Sequence, residues 1–362
     1  SEAPHDYPKY IIYEICSFLN IPCFKFNNWN IVPLMFVEEI GLNSPIIKPK
    51  KYSSKYDAII NQRFKDFVLQ LTESSKYELS YMKKQRMNVK PLNQFFSFFR
   101  SGFLNIIKDS KHNIEMQLLS LYNPINPYRH GILKRNLIRR KRKLNLRQNL
   151  LKNQQSIDLK TDYIYFPLHF EPERTTNPDG GFFHDQFLAL QSLRKFVPDN
   201  IKIVVKEHPS QINMSDHGSR GRSPLFYNLI KNLKNTSLID INHNSVELIK
   251  GSKFVATITG TVVIEASLLG VRGLTFGYAW YNGCPNVTSY SKDLQYDKFI
   301  LSKIYSRESI LDFFKYQIDN YTFLSFQNQS QRNLHKEFES EEFLKIQFQS
   351  IYDMLEKLFN NS

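Results

Sequence analysis

Phe254-Val-Ala-Thr-Ile258, Thr259-Gly-Thr-Val-Val-Ile-Glu-Ala-Ser-Leu-Leu269 and Gly270-Val-Arg-Gly-Leu-Thr-Phe276 follow one another without interruption. The outer runs are short, apolar and rich in β-branched or aromatic residues, as buried strands are; the middle run carries its apolar residues at helical spacing. A strand at Phe254–Ile258, a helix at Thr261–Leu269 and a strand at Gly273–Phe276, joined this tightly, make a βαβ unit. Such units build parallel sheets. The same texture reaches back to Asp162, with strands at Tyr163–Leu168, Ile201–Lys206 and Ser237–Ile241 and helices at His184–Phe196, Leu225–Leu233 and Ser245–Lys250. Five strands with short crossovers predict a doubly wound α/β sheet, whose ligands bind beyond the carboxyl ends of the strands.

Upstream the signal is thinner. A helix is expected around Lys9–Leu19, strands at Pro22–Phe26 and Ile31–Val37, and helices at Ser54–Ser75 and Leu92–Leu119. Two strands are few for an open sheet, so this half reads as incomplete, with its first strands expected upstream of Ser1. Gln154–Thr161 reads as a polar linker, and the chain after Leu301 as helical, ending in an acidic-aromatic helix at His335–Phe359. The expected division is therefore 1–155, 160–300 and 301–362.

With 362 residues, of which 41% are hydrophobic and 14% aromatic, the chain is too apolar to be disordered and long enough for two domains. Its three cysteines, Cys16, Cys23 and Cys284, are too scattered for a disulfide framework or a thiolate zinc site, which fits a reducing compartment. No apolar run is long enough for a membrane helix, and a cytoplasmic protein is expected. The 48 basic and 34 acidic residues leave a net charge of +14. Nine of the basic residues lie between Lys134 and Lys152 with no acidic residue among them. As a helix this run has an apolar stripe of Leu133, Leu137, Leu144 and Leu151, which suits an anionic membrane surface reached through 133–152; the alternative is an ordinary solvated face. No recognisable nucleic-acid motif accompanies it, and no nucleic-acid partner is expected.

The residues that follow each strand carry the chemistry. After Leu168 comes a loop dense in carboxylates, with Glu171, Glu173, Asp179 and Asp185, suited to acid, base or nucleophilic work unless Asp185 merely caps the next helix. After Val205, Lys206-Glu-His208-Pro209 fixes a histidine at a strand end, where it can donate to a phosphate or protonate a leaving group. After Ile258, Thr259, Gly260 and Thr261 form a tight hydroxyl-rich turn that can hold one phosphate or simply cap the helix. Glu265, one turn on, can accept from ribose hydroxyls. The turn lacks the lysine of a P-loop and the spacing of a dinucleotide fingerprint.

Phe166-Pro-Leu-His-Phe-Glu-Pro-Glu173 with Thr175, Thr176, Asp185 and Gln186, then Val205-Lys-Glu-His-Pro209, then Thr257-Ile-Thr-Gly-Thr-Val-Val-Ile-Glu-Ala266 with Phe276-Gly277, resemble in order the bacterial capsule polysaccharide synthesis family that includes retaining β-Kdo transferases. An echo lies at Glu2-Ala-Pro-His5. Where the family usually reads Gln-Pro-Glu, this chain has Glu171. The resemblance implies a GT-B architecture of two Rossmann-like domains, and CMP-Kdo as donor, bound mainly by the second. It also implies a glycan or glycolipid acceptor at the inner face of a bacterial membrane, with no cofactor and no metal. It points to Glu173 as first choice of catalytic nucleophile, Asp185 as second and His208 on the phosphate. Lys206, Pro209, Thr259, Gly260, Thr261, Glu265, Arg174, Gln186 and His5 fall to substrate binding. Retention by way of a carboxylate adduct, as in retaining glycosidases, follows the same implication. An inverting CMP-sugar transferase and a CDP-glycerol glycerophosphotransferase are the alternatives.

Overall fold

The computed structural model describes residues 7–29, 34–39, 44–45, 56–73, 132–156, 158–171, 176–177, 179–213, 221–325 and 340–360. Within them lie α1 (Tyr7–Phe18), β1 (Phe24–Trp29), β2 (Leu34–Glu39), β3 (Ser44–Pro45), α2 (Tyr56–Glu73) and α3 (Ile132–Asn153). Then follow β4 (Tyr163–Pro167), α4 (Gln186–Phe196), β5 (Lys202–Lys206), α5 (Pro209–Asn213), α6 (Pro224–Asn232) and β6 (Thr236–Ile239). The remainder is α7 (Ser245–Gly251), β7 (Phe254–Thr257), α8 (Val262–Leu268), β8 (Arg272–Thr275), β9 (Val287–Ser289), α9 (Tyr296–Ile300), α10 (Arg307–Tyr321), β10 (Phe323–Leu324) and α11 (Glu341–Asn360). The helix expected at Leu92–Leu119 lies outside the described residues.

The central sheet runs β6-β5-β4-β7-β8-β9, parallel throughout. All five expected strands are there, and the sixth, β9, is added at the edge beside β8. In sequence order this is the 3-2-1-4-5-6 arrangement of nucleotide-binding α/β sheets, with the order reversing between β4 and β7. Side chains alternate between faces, as the pleat requires. Ile164, Phe166, Ile203, Val205 and Ala256 pack with Leu146 and Leu150 of α3 and with α4 and α6, whereas Tyr163, Tyr165, Val204 and Val255 pack with α7 and α8.

The upstream strands differ from the expected Rossmann-like half. Here β1 and β2 pair antiparallel, and β2 also pairs antiparallel with β3 and with β10 from the far end of the chain. Phe24 and Phe26 read as strand, but their register partners, Val37 to Phe26 and Glu39 to Phe24, are set by β2 doubling back rather than by a crossover helix. The C-terminal segment thus returns across the first: Met354 of α11 and Phe323 join Met35 and Val37 in one small core, and Phe314 of α10 meets Phe64 of α2 at 5.6 Å.

Candidate functional site

The strand order reverses between β4 and β7, the place where sheets of this kind bind ligands in a crevice beyond the carboxyl ends of the strands. His169 and Thr257 meet there. The His169 ring Nε2 lies 3.0 Å from the Thr257 hydroxyl and accepts the Thr259 N–H at 3.4 Å, while the Gly260 N–H donates to the Thr257 oxygen at 3.3 Å. Gly260 is required by close approach: a Cβ there would stand 2.7 Å from Thr257 Oγ1 and 3.4 Å from the His169 ring. Tyr281 donates to the Gly260 carbonyl at 2.6 Å and fixes the turn from the other side. Gly277 is equally constrained, because a Cβ would come within 2.7 Å of the Asp179 carbonyl and 2.9 Å of Thr259.

His208 sits one strand over, after β5. Its Nδ1 accepts the Ser210 N–H at 3.2 Å, so in the neutral imidazole the proton is on Nε2. Burial, with the Lys206 and Arg222 cations beside it, pushes His208 down to about 4. Burial likewise pushes His169 down to about 3, helped by His208 and Arg222. Both rings are therefore neutral at pH 7, and His208 offers an N–H donor without a charge.

Beneath them is a network that sequence reasoning missed. Glu207 is fully buried, salt-bridged to Arg222 at 3.2 Å, and it accepts from the Tyr227 hydroxyl at 2.7 Å and the His208 N–H at 2.7 Å. Arg222 also donates to the His169 carbonyl at 2.8 Å, tying the loop after β4 to the loop after β5. Gln186 grips the same loop, accepting the His169 N–H at 2.8 Å and donating to Glu171 at 2.6 Å; Gln211 brackets the Glu171 backbone at 2.8 and 3.0 Å. Removing one partner of a buried ion pair leaves the other charge uncompensated. Glu207→Ala is expected to lose about 3–5 kcal/mol of unfolding free energy. Chemical denaturation checks this, and a loss under ~1 kcal/mol, the usual value of an exposed pair, would contradict it.

Other expected residues land in supporting positions. Lys206 is buried and donates to the His243 carbonyl at 2.5 Å and to Ser245 Oγ at 2.8 Å, holding the loop before α7. Asp185 caps α4, accepting the Phe187 N–H at 2.9 Å, so of its two expected roles the structure displays the cap. Pro209 opens α5. Thr261 precedes α8, exposed, and its side chain makes no capping bond. Glu173, Arg174 and His5 lie outside the described residues.

Glu265 projects from α8 with no hydrogen-bond partner for its carboxylate among the described residues, and burial pushes it up to about 7 against the pull of Lys206. The histidines and Glu265 act oppositely on stability. Because His169 and His208 bind protons more weakly when folded, their contribution is lost as pH falls from 6.5 toward 4 and 3. Glu265 binds its proton more tightly when folded, so its contribution is lost as pH rises from 4.5 to about 7. Glu265→Gln removes the second effect alone. Its Tm is expected to climb more steeply with pH between 4.5 and 6.5 than that of the wild type, and an unchanged slope would place Glu265 in solvent.

A second missed cluster joins the two sheets. Lys25 of β1, buried, pairs with Glu38 of β2 at 3.4 Å and with Asp179 at 2.7 Å, and Tyr278 donates to Glu38 at 3.2 Å. Burial holds both carboxylates above their ordinary range, and Lys25 opposes it. The Asp179 carbonyl accepts the Tyr278 N–H at 2.8 Å and lies close against Gly277, so this cluster is tied to the segment that follows β8.

Among the described residues no three His, Cys, Asp or Glu side chains gather as a metal site would require, and no helix is long and apolar enough to cross a membrane.

Comparison with known proteins gives one family: the model described as capsule polysaccharide biosynthesis protein matches residues 78–303. No curated protein matches the chain. Among solved structures, it is similar to two Thermosulfurimonas dismutans KpsC chains. The one titled beta Kdo 2,7 transferase is 19% identical with a TM-score of 0.31, the match covering 49% of this chain and 52% of that one. The one titled beta Kdo 2,4 transferase is 15% identical with a TM-score of 0.31, covering 53% and 57%. A UDP-GlcNAc 2-epimerase from Methanocaldococcus jannaschii is 15% identical with a TM-score of 0.26, covering 54% and 49%. The chain thus spans about half the length of each of these structures.

Proposed function

Since the chain belongs to the capsule polysaccharide biosynthesis family, we propose that it is a glycosyltransferase moving Kdo, or a related acidic sugar, from a CMP-sugar donor to a surface polysaccharide or glycolipid acceptor. The observation that carries this reading is the state of His208: neutral, its Nδ1 occupied by the Ser210 N–H, and its Nε2 proton left as a donor at the carboxyl edge of the sheet. A CMP-sugar carries one phosphate diester, and when the glycosidic bond breaks the negative charge on that phosphate grows. A fixed, dry N–H donor stabilises the growing charge more than the ground state, which is what lowers a barrier.

In this reading Thr259 and the Gly260 turn take the phosphate beside His208, and Glu265 accepts from the ribose hydroxyls. Charge on the phosphate is met by protein donors rather than by a metal ion. Glu173 attacks the anomeric carbon as CMP leaves, forming a sugar ester; the acceptor hydroxyl then displaces Glu173 and loses its proton to a base. Two inversions return the original configuration. Glu171 supports the loop through its bond from Gln186, a part that a glutamine can also play. The test is release of free CMP from CMP-Kdo, CMP-sialate and CDP-glycerol offered separately with an acceptor mixture. Turnover of CMP-Kdo well above the other two is expected; turnover of CDP-glycerol alone would assign a glycerophosphotransferase instead.

A further inference from the structure

Helix α3 has two faces, and the sheet uses only one. Leu146 and Leu150 are buried at 1% and 0% exposure and dock α3 on the face formed by Ile164, Phe166 and Ile203. Asn153 extends this contact by donating to Asn228 of α6 at 3.1 Å. Leu144 and Leu151, two of the leucines in the sequence stripe, are 50% and 52% exposed. At about 100° per residue, Leu144 and Leu151 fall within roughly 20° of each other, and Leu144 lies about 160° from Leu146. These two leucines are therefore turned away from the core. Lys141, Arg147 and Lys152 flank them and are exposed. No acidic residue occurs anywhere in the 22-residue helix, so nothing on it neutralises the nine cations.

We propose that this outward side of α3 is a docking surface for an anionic lipid bilayer, with Leu144 and Leu151 entering the headgroup layer and Lys141, Arg147 and Lys152 pairing with lipid phosphates. Charge complementarity selects the occupant. A run of this many cations without an anion repels a basic protein face and gains no charge pairing from a neutral one, and it is attracted to a surface carrying many phosphates. The leucines select further: nucleic acid can satisfy the cations, but its backbone offers no apolar layer for two leucines aligned along one side of a helix. Long lysine and arginine stems let the charges reach the phosphates while the leucines sit deeper. Because Leu146 and Leu150 fix the rotation of α3 on the sheet, docking sets how the whole α/β domain faces the membrane. This goes beyond the proposed transfer reaction and does not depend on it.

Flotation of the full chain with vesicles of phosphatidylcholine, or of phosphatidylcholine with phosphatidylglycerol added to make the surface negative, tests the proposal. Binding to the anionic vesicles only, weakening with salt, is expected. The triple variant Lys141→Gln, Arg147→Gln, Lys152→Gln should lower the partition coefficient by about tenfold or more, and the pair Leu144→Ser, Leu151→Ser by about tenfold. These side chains are exposed, so an unchanged thermal transition accompanies both variants if the loss is one of docking. Equal binding to neutral vesicles, binding indifferent to the leucine pair, or preference for duplex nucleic acid over anionic vesicles would each overturn the assignment.

Discussion

Glu173→Gln is expected to bind CMP as the wild type does and to form no β-linked product. In a retaining double displacement the nucleophile has no substitute, because direct attack by the acceptor would give the opposite anomer. The amide keeps the shape of the carboxylate but is not a nucleophile. Wild-type protein incubated with donor alone should carry a sugar mass on the peptide containing Glu173, detected by digestion and mass spectrometry. Finding that mass on Asp185 would exchange the two roles and would require the α4 cap to open, since Asp185 Oδ1 accepts the Phe187 N–H. An inverted product with no adduct on either residue would contradict retention.

His208→Ala is expected to fail differently. Loss of one donor aimed at developing negative charge typically slows the chemical step by about 10²–10³, leaving measurable turnover with unchanged stereochemistry. The fall should appear in kcat more than in KM, since a donor that strengthens in the transition state adds little to ground-state binding. His208→Gln, whose side-chain amide restores an N–H donor, should recover part of the rate. Equal rates for the Ala and Gln variants would show that the donor at Nε2 is not what His208 supplies. Glu207→Ala offers a contrast, because its large effect is on folding: it acts through Arg222, Tyr227 and the His208 N–H.

The parallel sheet was legible because βαβ units repeat two periodicities in alternation, and the apolar runs Tyr163–Phe166 and Phe254–Ala256 are buried on both faces. What escaped was structure made by partners distant in sequence. Phe323 and Leu324 read as a helix tail, yet they complete the small sheet by pairing with Met35 and Leu34. Val287–Ser289 is too short and too polar to announce itself, and it is a strand only because β8 offers an edge. In the crevice, His208 and the Thr259–Thr261 turn were legible from their place after strands. Arg222 was not: it lies in the polar run His217-Gly-Ser-Arg-Gly-Arg-Ser223, which reads as solvated loop, and its burial is decided by Glu207 and the His169 carbonyl. Lys25 was hidden for the same reason, since a lysine flanked by two phenylalanines signals the outer side of a strand until Asp179 and Glu38 face it from other segments.

Sequence did display the basic run of α3 and, in Leu144 and Leu151, leucines that stay off the sheet; what it did not single out are Leu146 and Leu150, which make the packing contact. Leu133, Leu137, Leu144 and Leu151 make the stripe that spacing picks out, whereas the sheet is met by Leu146 and Leu150. A helix packed on one side and exposed leucines on the other leaves two valid periodicities in one sequence, and only the neighbouring elements decide which faces inward.

The most direct measurement is mass spectrometry of a glycan or glycolipid acceptor after incubation with CMP-Kdo and this protein. An acceptor heavier by one Kdo residue is expected, with release of an equal amount of CMP, both strongly reduced in His208→Ala. An acceptor of unchanged mass while CDP-glycerol or CMP-sialate is consumed in place of CMP-Kdo would contradict the proposed transfer.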